Sequence, residues 1–255
     1  MIATTLELIE DGRTARVALS PFTVFVDDGD GSARTLLRQV FCPTTMTDEV
    51  TGEVAVSDAR LLDAAGAPLS SGGIIEHEPG NDTAQTCFQP PTTVQSLADE
   101  FPAYRDAFRR LLGDLGPRSV HAHDALMLVP GYRDAAFALA LTPNDLRGTV
   151  TVFPDLGCEL HPAVVDRLAV GLRRRAEEGG VQYLAATVNV GALRSLSPSE
   201  VVCCAFCADG TLHFARMDEM PDKRILAMLP PAELWPSEGC SWVVNAHASG
   251  DVQSA

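Results

Sequence analysis

Several clusters in this chain hold groups with reactive side chains. Cys158-Glu159-Leu160-His161 sets a thiol three residues before an imidazole and just ahead of Pro162. A thiol at a helix N-terminus has a lowered pKa, and a nearby base would turn it into a nucleophile. His121-Ala122-His123-Asp124 puts two imidazoles on one side of a strand, a pair that zinc uses only with a third ligand, and none stands at a recognised spacing. Cys204-Ala205-Phe206-Cys207 has the spacing of a redox dithiol or half a zinc ribbon. Without a second half, and beside Val201 and Val202, it reads as a buried strand with structural cysteines. Asp27-Asp28-Gly29-Asp30 resembles a fragment of a calcium loop but lacks the later bidentate Glu, so it reads as a solvated turn. Arg173-Arg174-Arg175 reads as the solvent face of a helix. The catalytic residue stays unassigned, and no metal is expected.

The elements around Cys158 are the most legible part of the chain. Residues 149–196 read as strand, turn, helix, strand and short helix, which implies a crossover between neighbouring parallel strands. After Pro162, the residues Val165, Leu168, Ala169, Leu172 and Ala176 recur at spacings of three and four and give one apolar stripe. Pro162 suits the first helical position and Gly179-Gly180 the left-handed stop, while Arg173 to Glu177 and Arg174 to Glu178 are spaced as ion pairs. The run 181–189 is almost continuously apolar, as a strand covered on both faces should be. A turn leading from a strand end into a helix N-terminus is a common anion site.

This unit resembles the acyl-CoA-binding half of a GCN5-related N-acetyltransferase (GNAT) over residues 149–196, carried by VFPDLG, the helix up to EEGG, and VQYLAATVNVGALRSL. The resemblance implies a GNAT-like C-terminal half and an acyltransferase that moves an acyl group from acyl-CoA, as co-substrate, to a small amine. Gly157 and Cys158 would hold the cofactor's phosphates through main-chain amides, and Asn189 would shape the acyl channel. The turn departs from the family's pattern: the expected Arg or Gln and the second Gly or Ala are missing, and Asp155 and Glu159 bring negative charge that His161 and Arg167 would have to offset. The alternative is a non-catalytic interaction or accessory protein of similar α/β architecture.

Elsewhere, strand-like runs at 4–9, 15–19 and 22–26 are followed by a short helix over 33–41 that Ser32 can cap, and by a strand over 53–62. Residues 63–92 read as a long loop, 93–115 as a helix with Leu111 and Leu112 on its apolar side, and 125–129 and 135–141 as strands. A hairpin follows over 201–206 and 212–215, across Asp209-Gly210. The fold expected is α/β or α+β, with a mixed central sheet and helices packed on its faces. Residues 1–92 form a β-rich half and 93–255 an α/β half, or the two make one continuous domain.

A chain of 255 residues that is 46% hydrophobic can bury a sizeable core. The formal charge of −15 disfavours nucleic acid and anionic lipid as partners, leaving a small-molecule substrate or a protein. The N-terminal residues lack the pattern of a secretory signal, no segment reads as a membrane span, and seven irregularly spaced cysteines do not form a disulfide framework, so the expected location is cytoplasmic.

Overall fold

The computed structural model describes residues 3–10, 13–40, 44–47, 54–69, 74–76, 107, 109–113, 135, 139, 150–153, 155–157 and 159–249. These residues build two sheets. The first is antiparallel, in the order β2-β1-β5-β4, from β1 (Thr5–Glu10), β2 (Arg13–Ala18), β4 (Thr44–Thr47) and β5 (Val54–Leu62). The second runs β10-β9-β3-β8-β7-β6, from β3 (Phe22–Val26), β6 (Ile74–Glu76), β7 (Val150–Phe153), β8 (Gln182–Ala186), β9 (Val201–Phe206) and β10 (Leu212–Arg216). Its neighbours pair in parallel except β9 with β10, so the central sheet is mixed, as expected.

Both faces of the central sheet are covered, which is why β3, β7 and β8 are buried at every position. Successive side chains alternate between two cores. Val24, Val26, Tyr183, Ala185 and Cys203 face one that includes Leu168, Ala169 and Leu172 of α2 (Pro162–Gly179). Phe25, Leu184, Val202 and Cys204 face the other, shared with the antiparallel sheet and with Leu36 and Leu37 of α1 (Ser32–Gln39). The first core is closed further by α4 (Pro231–Glu238) and α5 (Trp242–Ser249) through Leu234 and Val243; α3 (Lys223–Met228) precedes them and lays the half-buried Ile225 and Leu226 against it.

The crossover has the expected form, with β7 and β8 parallel neighbours joined by α2, Pro162 in the first turn and Gly180 left-handed at φ 63°. The arginine run differs from the solvent face expected. Arg173 donates to the Ser195 carbonyl and pairs with Glu177 and Glu200, and Arg175 donates to the Leu139 carbonyl. Only Arg174, paired with Glu178, lies on the open side. Long cationic side chains here tie carbonyls to the helix instead of facing water.

Three further differences concern elements. β6 lies inside the span read as loop and pairs in parallel with β7. Ala135 and Leu139 are helical, although 135–141 reads as strand. β4 and the three C-terminal helices have no counterpart in the sequence reading. His121, His123, the strand expected over 125–129, and the tail after Gly250 lie outside the described residues. Among the described residues, no helix is long and apolar enough to cross a membrane.

Candidate functional site

The corner between β7 and α2, where the sequence points to an anion, is filled by its own packing. Gly157 has φ 81°, and a Cβ there would stand 2.7 Å from Cγ2 of Val165, so its side-chain face lies against the first turn of α2. The amide of Leu156 donates to the Ala186 carbonyl, and Thr187 Oγ1 donates to the Leu156 carbonyl. At the start of α2, His161 Nδ1 accepts the Ala163 amide at 3.2 Å, so this imidazole is a helix cap. The backbone of Gly191 closes the same end, for a Cβ on it would lie 2.1 Å from the Pro162 carbonyl oxygen. Asn189 Oδ1 accepts the Gly191 amide and its Nδ2 donates to the Leu160 carbonyl, which spends the side chain on the 3-10 turn Val190–Leu193. Gly157 and Asn189 are thus brought to one corner, in structural contacts. Cys158 lies outside the described residues.

The expectation of bound acyl-CoA fails on this packing. The helix N-terminus that should face a pyrophosphate faces Gly191 and its own His161. Among the described residues β7 and β8 do not splay to form an acyl channel, for they stay paired from Val150–Gln182 to Phe153–Ala185.

An open space lies one strand away. α1 leaves β3 toward the core shared with the antiparallel sheet, whereas α2 leaves β7 toward the opposite core. Helices departing to opposite faces leave a crevice at the carboxyl ends of the strands between them. A cavity of about 210 Å³ sits there, lined by Asp27, Gly29, Gly31, Arg34, Asp155, Ala186, Thr187 and Val188. Gly29 (φ 90°) and Gly31 (φ 79°) make the bend of the β3–α1 turn in the left-handed region, and no atom lies within 4 Å of a Cβ built on either.

The turn has the outline of an anion cradle, but carboxylates of the chain occupy its donors. Asp27, 3% exposed, accepts the amides of Gly29 at 2.8 Å and Ala33 at 3.0 Å. Asp30 accepts the Ser32 amide at 2.9 Å and the Phe206 amide at 3.2 Å. Asp28 turns the other way and takes the Cys240 amide on both oxygens, at 2.8 and 2.9 Å. With Gly31 at the N-cap and no side-chain cap bond there, Asp27 and Asp30 meet the positive end of α1. Arg34 pairs with Asp155 across the cavity. Among the described residues, no group of three or more His, Cys, Asp or Glu side chains stands close enough to share a metal ion.

No family model matches the chain, and no curated protein matches it. Solved structures similar to it include the SMC head bound to the C-winged helix domain of ScpA (12% identity, 84% of this chain and 97% of that one, TM-score 0.49). They also include the SMC head domain from Thermotoga maritima (12%, 85% and 99%, 0.46). CbiO1 from Clostridium perfringens, part of the ABC transporter complex CbiONQ, is similar at 16% (88% and 92%, 0.45). The resemblance to GNAT acetyltransferases is corrected by these comparisons, which find SMC heads and an ABC transporter component instead. The acyltransferase activity and the acyl-CoA co-substrate that rested on that resemblance fall with it.

Sequence reasoning passed over the β3–α1 turn because its three aspartates read as a solvated run. The signal was present in its position: a short Gly-containing turn between an apolar run and a helix, which is the same grammar that drew attention to Gly157.

Proposed function

We propose that the protein works without turning over a phosphate ester or thioester, by binding a protein partner, with the crevice at the carboxyl ends of β3, β7 and β8 as part of the contact surface. One observation carries this reading: the backbone donors that would hold a phosphate in the β3–α1 turn are taken by Asp27 and Asp30. The cavity keeps two carboxylates, Asp27 and Asp155, against one cation, Arg34, which is itself paired. A phosphate charge about 5 Å from an uncompensated carboxylate is opposed by about 3 kcal/mol at an effective dielectric of 20. Val188, 64% exposed, gives the rim an apolar point of contact. The charge of −15 favours a protein with a basic face over a nucleic acid. Residues 1–92 and 93–255 act as one continuous domain in this reading, because β3 lies between β8 and β9.

A second reading is favoured by the empty space in front of Gly29 and Gly31. A nucleoside phosphate that brought a divalent cation to neutralise Asp27 and Asp155 would have room there. Calorimetric titration of the full chain with ATP, with and without magnesium, separates the two. The first reading expects no saturable heat in either titration. Saturable, magnesium-dependent binding that is lost in Gly31→Val removes it in favour of the second.

A further inference from the structure

We infer that Cys203 and Cys240 form a dithiol site whose oxidation to a disulfide staples the C-terminal helices to the central sheet. Cys203 lies on β9 and Cys240 in the short link between α4 and α5, and both are fully buried in the same core. Val26 brings them together: it is the register partner of Cys203, and its carbonyl accepts the Cys240 thiol at 3.5 Å. Cys204 faces the opposite core, so strand alternation separates it from the pair, and Cys207 is half-buried at the end of the strand. The C-x-x-C spacing is therefore not the dithiol; its partner comes from far along the chain.

The neighbouring Cys203 thiol and burial hold Cys240 protonated well above the usual thiol range, so the closed pair is a poor nucleophile. Reaction requires the link around Cys240 to lift, which breaks the bonds from its amide to Asp28. A low-molecular-weight disulfide such as oxidised glutathione then supplies the oxidant. One protein thiolate attacks it and releases one glutathione thiolate; the second protein thiolate displaces the other. The protein loses two electrons and two protons, one S–S bond forms between Cys203 and Cys240 as the glutathione S–S bond breaks, and two glutathione thiols leave. The closed loop spans residues 203–240, and restricting it in the unfolded chain raises stability.

The reduced full chain is incubated with oxidised glutathione a few degrees below its melting midpoint, then alkylated and mapped by mass spectrometry. The expected result is a peptide pair linked through Cys203 and Cys240, with a midpoint several degrees higher that returns to its starting value on reduction. Cys240→Ala and Cys203→Ala each remove both the link and the rise. Pairing of either cysteine with another partner, a glutathione adduct that stops at Cys207, or an oxidised form that melts no higher than the reduced one overturns the inference.

Discussion

Replacing Asp27 with Ala tests whether the β3–α1 turn is held by its own carboxylate. The substitution strips the acceptor from two amides, Gly29 and Ala33, at a side chain that is 3% exposed. Hydrogen bonds to a charged group are worth about 1.5–3 kcal/mol each. The cavity admits water to part of the turn, so the expected loss is near the lower end of their sum, about 3 kcal/mol. In a chain of this size that corresponds to about 6–12 °C in the melting midpoint. Asp27→Asn keeps one of the two acceptor oxygens and sets an NH2 against the other amide, so it should lose at least half as much. The freed amides also become available to an anion. Inorganic pyrophosphate should therefore stabilise Asp27→Ala more than the wild type at equal ionic strength, by about 2.7 kcal/mol once its concentration reaches a hundred times its dissociation constant. Urea unfolding followed by circular dichroism, with and without pyrophosphate, measures both quantities. A loss below 1 kcal/mol, or equal effects of pyrophosphate on the two proteins, would refute the assignment of Asp27 as the internal occupant.

Gly191→Ala drives a methyl group into the Pro162 carbonyl and should lower stability by about 2–3 kcal/mol, an overpacking cost readable in the urea midpoint. Arg34→Ala removes a pair at the open cavity mouth and should change stability by less than about 1 kcal/mol, so a larger loss in the same assay would show the pair to be a structural strut. The protein should also weaken in alkali. Burial raises the thiol pKa of Cys204, and a neighbouring thiol together with burial raises that of Cys240. A raised folded pKa gives stability that is complete below the unfolded value, about 8.5, and is lost as pH rises beyond it, at about 1.4 kcal/mol per pH unit for each such thiol. Unfolding free energies between pH 8 and 10 should fall with that slope, and Cys204→Ala should make the decline shallower.

The β7-α2-β8 unit was legible because each of its signals is local. Val165, Leu168 and Leu172 mark the buried stripe, Pro162 the start and Gly180 the stop, and all agree with one another. β6 was not legible, since three residues, Ile74–Glu76, become a strand only through β7, more than seventy positions later. The short helices after Lys223 carry Pro230, Pro231 and Pro236, which obscure any helical period. The packing around the expected site residues was not legible for a related reason. Gly157 has the residue type of an anion turn and Asn189 was expected at an acyl channel, but only packing tells that Val165 lies against the one and that the Gly191 amide and the Leu160 carbonyl engage the other. The aspartates of the β3–α1 turn have the wrong charge for such a turn, and only the fold shows that their carboxylates stand where an external anion would.

The order of the central sheet also bears on how the chain comes into being. β3 is made within the first thirty residues, yet both strands that flank it, β8 and β9, are made after residue 180. During synthesis, the most apolar strand of the N-terminal region therefore waits with both edges bare while most of the polypeptide is still to come. Such a nascent segment invites pairing with another chain, and folding that depends on so distant a closure is slow. A shortened product ending before residue 200 would never acquire the β9 edge, and should accumulate as aggregate.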